Sequence, residues 1–200
     1  MTREWAPTRS DRKKLRHQKL RQLIDTNPLL PDEELAERLR VSVSTVRLDR
    51  AVLGVPELRE RMRAMAEAAG SRLTSLRQEE VVGELLELEP NQWALSILDT
   101  TREMAFRHTD RVWDHFLYAQ ATTLAMATIA AEMVVTGAAR LRYRSPALVG
   151  ERLVARSKVG IHKGNKYVVS VRTRVQEREV FVGRFIVVAI EGVSSSNESL

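Results

Sequence analysis

Residues 117–132 read LYAQATTLAMATIAAE, a sixteen-residue stretch with no glycine, no proline and only one charged residue, Glu132. Leu, Ala and Met are strong helix formers, and a helix that is apolar on nearly every side is a buried one. At 1.5 Å per residue it would be roughly 24 Å long, too short to cross a bilayer. The stretch therefore predicts one helix buried in a protein core.

Four β-rich runs follow this helix, at residues 138–144, 152–159, 167–175 and 180–190. In the third run Val169 and Val171 alternate with Ser170 and Arg172, the period of a strand with one buried face. Before the helix, residues 94–98 (ALSIL) and 103–106 (EMAF) could be strands, and the apolar residues of 81–88 look like a short helix. One buried helix wrapped by one antiparallel sheet is the hotdog architecture, whose domains usually pair and bind acyl thioesters between protomers.

The first fifty residues have the pattern of a helix-turn-helix. Helices are predicted at residues 12–24, at 32–39 and from 43 to about 53. Ser42 is a good N-cap for the third helix, and Gly54 should end it. Small polar residues at the start of this helix would let its N-terminus enter the major groove of DNA. The alternative is an unrelated three-helix bundle with a solvated basic face.

Two further basic segments flank this pattern. Residues 1–21 hold eight Lys and Arg against two acids, an excess of +6 that equals the formal net charge of the whole chain. A basic arm of this kind indicates nucleic acid, or else a solvated terminus. Pro56 can start an amphipathic linker helix over residues 55–70. Its arginines are either solvated or close enough to the third helix to touch DNA phosphates. The candidate DNA-binding residues are Ser42, Ser44, Thr45, Arg47, Arg50, Arg59 and Arg61.

Composition excludes several classes of function. The chain has no cysteine, which excludes disulfides, a thiol nucleophile and Cys-ligated zinc. Its four histidines are not spaced as metal ligands. The first residues lack the apolar core of a signal peptide, and no apolar run reaches transmembrane length. We therefore expect a cytoplasmic protein with no membrane contact and no metal site.

The segments DEELAERLRVSVSTVRLDR, VPELRERMRAMAE, GELLELE, ALSIL and LYAQATTLA resemble the FapR family of bacterial transcription factors. The resemblance runs from about residue 12 to residue 188. It implies a homodimeric repressor of fatty acid and phospholipid biosynthesis genes that binds a double-stranded DNA operator. The family's effector, malonyl-CoA, would bind in the hotdog domain and cause the protein to release the DNA. We expect no cofactor apart from this effector.

The ligand site is where this chain departs from the family. With LYAQ aligned, the family's arginine that grips the malonyl carboxylate falls on Trp113, its glycine on Asp114 and its asparagine on Thr122. An indole cannot replace a guanidinium fork, so either Arg111 or Arg107 takes over the carboxylate or another acyl-CoA is the effector. The candidate ligand-binding residues are Phe106, Arg107, Arg111, Trp113, Asp114 and Thr122.

Hotdog domains also serve as thioesterases and dehydratases, usually with an acid or a histidine near the start of the central helix. Asp110, Asp114 and His115 occupy that region, and a carboxylate there could activate water. The same acids could instead cap the helix. With a helix-turn-helix in front, we favour a regulator without catalytic residues.

The expected fold class is therefore α+β. It has an N-terminal helix-turn-helix (residues 1–54), an amphipathic linker helix (55–70) and a C-terminal hotdog domain (71–200).

Overall fold

The computed structural model describes residues 9–190, which divide into two compact units between Ala64 and Met65. Each unit has its own hydrophobic core. The start of the predicted basic arm, including Arg3, lies outside the described residues, as does the end of the chain beyond residue 190.

The first unit is helical. Its helices are α1 (Arg9–Thr26), α2 (Asp32–Leu39) and α3 (Val43–Leu53), followed by α4 (Leu58–Gly70), in which the division between the units falls. The first three helices bury one apolar cluster: Leu20, Ile24, Leu30, Leu35, Ala36 and Val46. The predicted helix-turn-helix and linker helix are present in the expected order.

The ends of α3 follow from two residues that the sequence singled out. The Ser42 side chain accepts a hydrogen bond from the backbone N–H of Thr45 at 3.2 Å, which makes Ser42 the N-cap. Gly54 ends the helix in the left-handed conformation, at φ 65°. Between α2 and α3 the non-glycine residue Arg40 also adopts this conformation, at φ 55°, and closes α2. Both predicted ends of α3 are confirmed.

A buried carboxylate joins α1 to α3. The Arg16 guanidinium donates two hydrogen bonds to Asp49, at 2.5 and 3.0 Å, and a ring nitrogen of His17 lies 2.9 Å from the same carboxylate. Asp49 is only 3% exposed. The hydrogen bond from Arg16 holds the pKa of Asp49 below its ordinary value, against the opposing effect of burial and with further help from His17.

The second unit is one six-stranded antiparallel sheet around one helix. The strands are β1 (Glu84–Glu89), β2 (Trp93–Asp99), β3 (Met133–Tyr143), β4 (Arg152–Lys163), β5 (Lys166–Val175) and β6 (Arg178–Ile190). They pair in the order β1-β2-β4-β5-β6-β3. The helix α5 (Asp114–Ala127) supplies Leu117, Ala121 and Leu124 to the core, where each is at most 2% exposed. The alternate residues of β4, β5 and β6 close the core from the sheet side.

Three local predictions for this unit are wrong. Residues 84–89 form strand β1 rather than helix, because pairing with β2 buries Leu85 and Leu88 in the core. The EMAF segment is not a strand but begins within a short 3-10 helix, Arg102–Met104. The buried helix ends at Ala127 rather than near residue 132. The Thr128 hydroxyl contacts the Leu124 carbonyl at 2.7 Å and Ser157 at 2.6 Å, and the chain then turns into β3.

No helix within residues 9–190 has both the length and the apolar character that a membrane span requires.

The Asp49 contacts lead to a prediction about stability. Asp49→Asn should destabilise the first unit by roughly 2–3 kcal/mol, since it leaves the partly buried Arg16 without a carboxylate. Urea unfolding followed by helical circular dichroism measures the loss. The pKa of Asp49 is depressed in the folded state, so its contribution is complete above the ordinary carboxyl pKa. It disappears as the pH falls through the folded pKa.

The matched control is Asp25→Asn, which removes an exposed carboxylate from α1. This control should leave the unfolding curve at neutral pH unchanged. If the two variants unfold alike at neutral pH, Asp49 does not hold α1 to α3.

Candidate functional site

The start of α3 presents a cluster of three hydroxyl groups. The Ser42 hydroxyl lies 2.9 Å from the Ser44 hydroxyl and 2.9 Å from the Thr45 hydroxyl. The first turn of α3 contains no acidic residue. The partial positive charge of the helix N-terminus is therefore not cancelled locally, which favours an anionic group such as a phosphate.

The exposed face of α3 continues past this cluster with both charged and apolar side chains. Arg47 is exposed, and its guanidinium lies 3.6 Å from the Asp32 carboxylate. Leu48 and Val52 are 69% and 67% exposed. Sequence reasoning missed these two residues because it assigned apolar side chains to the core. Their spacing could have identified them, because they lie four and eight residues after Ser44 and therefore share its face of the helix.

Arg50 is not on this face, and we remove it from the candidate DNA-contacting residues. Its guanidinium is 5% exposed and donates two hydrogen bonds of 2.8 Å to Asp32, plus one of 3.2 Å to the Val55 carbonyl. The pair holds the pKa of Asp32 below its ordinary value, chiefly through the hydrogen bond from Arg50. Arg50 therefore fastens α3 to α2.

Arg61 is also removed from the candidates, whereas Arg59 stays exposed. The Arg61 guanidinium donates to the carbonyls of Pro28, Pro56 and Leu30, at 3.0, 2.6 and 2.8 Å. Burial lowers the pKa of Arg61 from its ordinary value, and the charge of Arg50 adds to this effect. Arg61 thus fastens the start of α4 to the segment between α1 and α2.

In the second unit, four of the six predicted ligand-binding residues lie in or beside a loop that leads into α5. Phe106 and Trp113 stack with their ring centroids 4.1 Å apart, and both side chains are partly exposed. The Phe106 N–H donates to the Arg111 carbonyl at 2.9 Å, which closes the loop. The exposed Arg102 side chain also holds the loop, since it donates hydrogen bonds to the Asp110 carboxylate at 2.9 Å and to the Arg107 carbonyl at 3.3 Å.

The two arginines of this loop remain available to an anion. Arg107 and Arg111 are exposed, and no ion pair engages either of them among the described residues. Trp113 is the N-cap residue of α5 but makes no side-chain capping bond. Asp114 follows it in the first turn. An acidic ligand at this helix start would thus meet Asp114 and would need an arginine of the loop as its partner.

Thr122 and Asp114 connect α5 to β3. The Thr122 hydroxyl lies 3.1 Å from the hydroxyl of Thr136 in β3, and the Tyr143 hydroxyl donates to the Asp114 carbonyl at 3.4 Å. Burial raises the pKa of Tyr143, and the charge of Asp114 raises it further. Of the predicted ligand residues, Asp114 and Thr122 therefore contact β3, whereas the other four lie in or beside the loop that precedes α5.

Strand β3 is the edge of the sheet beside this region. It is eleven residues long and, among residues 9–190, pairs only with β6, so no strand of this described part covers its other side. Met133, Ala138 and Tyr143 are exposed on it. A long unpaired edge is a template for a further strand.

No arrangement typical of hydrolysis stands out at the start of α5. The Asp110 carboxylate is exposed and paired with Arg102, Asp114 lies in the first turn of the helix, and the His115 ring packs against Phe116. Within residues 9–190 no group of His, Asp and Glu side chains could hold a metal ion.

Solved structures with the same fold include proteins of several functions. A sigma28-regulated virulence protein of Campylobacter jejuni is 26% identical and matches 62% of this chain and 97% of its own, with a TM-score of 0.57. The PaaI protein of the Escherichia coli phenylacetic acid degradation operon is 19% identical over 55% of this chain and 80% of its own, with a TM-score of 0.50. These likenesses support the hotdog assignment of the second unit.

No family model matches the chain. Individual relatives do. A Thermoanaerobacter protein described as transcription factor FapR is 44% identical, over 88% of this chain and 88% of its own length. A Bacillus cereus protein of the same description is 43% identical, over 86% of this chain and 89% of its own. Since these likenesses span both units, the chain belongs to the FapR family of transcription factors.

Proposed function

We propose that this protein is a homodimeric repressor of fatty acid and phospholipid biosynthesis genes, which an acyl-CoA bound at the hotdog domain releases from its operator. The observation that carries this proposal is helix α3. It is capped by Ser42, it has no acid in its first turn, and it exposes a face of hydroxyl, guanidinium and branched apolar groups in a chain 44% identical to a FapR.

Each group on this face matches a different part of double-stranded DNA. The hydroxyl cluster and the helix N-terminus suit a backbone phosphate. Arg47 suits the two acceptors on the major-groove edge of guanine. Leu48 and Val52 suit the methyl groups of thymine, the apolar feature of the major groove. Arg59 suits a flanking phosphate.

The β3 edge supports a homodimer. Two such edges can pair antiparallel around a two-fold axis, which removes the unpaired backbone groups of both copies. A dimer brings two copies of α3 to a pseudo-palindromic operator, where the half-sites lie about 34 Å apart, one turn of the DNA helix.

The effector site that we propose is the loop and first turn of α5. Arg107 and Arg111 can hold the phosphates or the acyl carboxylate of a CoA thioester, and the Phe106–Trp113 stack provides an apolar wall. Malonyl-CoA fits if one of these arginines faces the acyl end. A non-carboxylated acyl-CoA fits if both bind the nucleotide end.

The first prediction for this function concerns Arg47. Arg47→Ala should weaken operator binding about tenfold, since a guanidinium contact to a base edge contributes about 1–3 kcal/mol. Fluorescence anisotropy measures the affinity for a duplex that the wild-type protein has selected from a random-sequence pool. Arg38→Ala is the control, because Arg38 is an exposed arginine of α2 that pairs with Glu34. Equal loss in both variants contradicts the role given to Arg47.

A second prediction separates apolar base contacts from general packing. Leu48→Ala should lower operator affinity roughly fourfold for each thymine methyl group that the shorter side chain no longer covers. This factor corresponds to about 0.8 kcal/mol, the free energy of burying one such carbon. Deoxyuridine in place of those thymines removes the same methyl groups from the DNA. The variant should therefore lose little further affinity on the substituted duplex. Leu15→Ala, at an exposed leucine of α1, is the control; if Leu48→Ala and deoxyuridine act additively, Leu48 does not contact those methyl groups.

A third prediction concerns the effector. Calorimetric titration of the full-length protein with malonyl-CoA, acetyl-CoA and free CoA should show binding of at least one thioester. Arg107→Gln or Arg111→Gln should weaken that binding roughly tenfold or more, the size of a lost hydrogen bond to a charged group. Arg38→Gln should not weaken it. Preference for malonyl-CoA indicates that an arginine holds the carboxylate, equal affinity for the two thioesters indicates contacts to the nucleotide, and no binding of either contradicts an acyl-CoA effector.

The same thioester should weaken operator binding. A coupling free energy of about 1–3 kcal/mol corresponds to a 5- to 150-fold change in affinity. If a thioester binds tightly and operator affinity does not change, the proposed switch is wrong. Turnover of the thioester by the protein would instead favour the hydrolase alternative.

A further inference from the structure

The side of the sheet that faces away from α5 is rich in arginine. Inward-facing residues of β5 and β6, such as Val169, Val171 and Phe185, are fully buried with α5. Residues that alternate with them point to solvent. We call the outward-facing arginines of this sheet the outer arginine face: Arg140, Arg142, Arg156, Arg172, Arg174 and Arg184.

Strand register places four of these arginines directly opposite one another. Arg156 of β4 pairs with Arg172 of β5, and Arg140 of β3 pairs with Arg184 of β6. Side chains at such positions have Cβ atoms only about 5 Å apart, and like charges there are destabilising. The strand register therefore brings two pairs of like charges together on this side of the sheet.

Acidic residues compensate only part of this charge. Glu179 bonds Arg172 at 2.7 Å and lies 3.7 Å from Arg144, which accounts for both of them. Among the described residues no ion pair engages Arg140, Arg142, Arg174 or Arg184. The Arg156 guanidinium lies over the Trp93 ring, 4.8 Å from its centroid, so it too lacks a carboxylate.

The shape of the face suits an extended polyanion. The arginines lie on four neighbouring strands, β4, β5, β6 and β3, which at about 4.8 Å per strand give a surface roughly 14 Å wide. Beside Arg156 and Arg172 the surface dips into a groove of about 780 Å³, lined in part by Trp93 and Lys158. Among the described residues, five of these six arginines form no ion pair with a carboxylate; the exception is Arg172. The guanidinium fork matches the oxygens of a phosphodiester.

We propose that the outer arginine face binds the phosphate backbone of double-stranded DNA without regard to sequence. This contact would be made in addition to the one that we propose for α3. A protein held at an operator meets no other polyphosphate at comparable local concentration. Contacts of this kind release counterions, so they raise affinity for any duplex and lose strength in salt. The face would thus support non-specific binding and movement along DNA. This inference rests on the proposed DNA-binding function but not on the effector.

The experiment compares the Arg140→Gln/Arg184→Gln double variant with the wild-type full-length protein on a duplex that lacks the selected operator. The logarithm of the binding constant falls with the logarithm of salt concentration by about 0.9 per phosphate contact. The double variant should show a slope smaller by roughly 1.8, if each arginine contacts one phosphate. Its thermal unfolding temperature should stay the same or rise, because a repulsive pair has been removed.

The matched control is Arg38→Gln/Arg77→Gln, which removes two exposed and ion-paired arginines and changes the net charge equally. An unchanged slope in the outer-face variant, or an equal change in both double variants, overturns the proposal. Anionic phosphatidylglycerol vesicles provide the remaining comparison. If the outer-face variant loses vesicle binding and keeps its DNA slope, the face is a lipid surface and the proposal is wrong.

Arg47→Ala separates this inference from the proposed function. Suppose that Arg47→Ala loses its preference for the operator but keeps the salt dependence of non-specific binding, and that this dependence still requires Arg140 and Arg184. This result supports both the proposed role of α3 and the proposed role of the outer arginine face. If Arg47→Ala keeps its preference for the operator, the proposal that α3 reads the DNA sequence is wrong. The outer arginine face is then tested by the salt dependence of the Arg140→Gln/Arg184→Gln variant alone.

Discussion

The burial of α5 against one side of the sheet is the constraint on which the second unit depends. Since side chains alternate along a strand, packing Val169 and Phe185 under α5 turns their neighbours outward. A register shift of one residue would bury Arg172 and Arg184 and expose the core. The position of the arginines is thus fixed by the apolar residues between them, although the charges themselves repel. The helix that shapes the proposed ligand site also determines what the opposite side of the sheet presents.

Arginine has two separate roles in the first unit. Arg50 and Arg61 are buried and saturated by a carboxylate and by backbone carbonyls, and they hold the helices together. Arg47 and Arg59 are exposed. All four lie within fifteen residues of sequence and have the same side chain, so only their surroundings distinguish them. Breaking a buried ion pair is strongly destabilising, which makes Arg50 a structural residue despite its place in α3.

Features that depend on residues close together in sequence could be predicted, whereas features that depend on distant residues could not. Ser42 and Gly54 act within one helical turn, so both ends of α3 could be predicted. The partners that join Arg50 and Arg61 to other segments are Asp32, Pro28 and Leu30, which lie 18 to 33 residues away in sequence, and no local pattern reveals them. The group of apolar residues at 81–88 is too short for its period to separate helix from strand, and the pairing of residues 84–89 with β2 decides the outcome. Leu48 and Val52 were overlooked because an apolar residue is usually assigned to the core.

The two units each offer a helix N-terminus, and one side chain makes them chemically different. The first turn of α3 has no acid and begins with three hydroxyl groups, so its partial positive charge is open to a phosphate. The first turn of α5 begins with Asp114, whose carboxylate opposes the same field. An anion at α5 must therefore be bound by cations from outside the helix, and the loop that leads into α5 carries two exposed arginines, Arg107 and Arg111. Under the proposed function, selection among acyl-CoA effectors would then depend on how this loop is held, and Arg102 holds it through Asp110 and the Arg107 carbonyl.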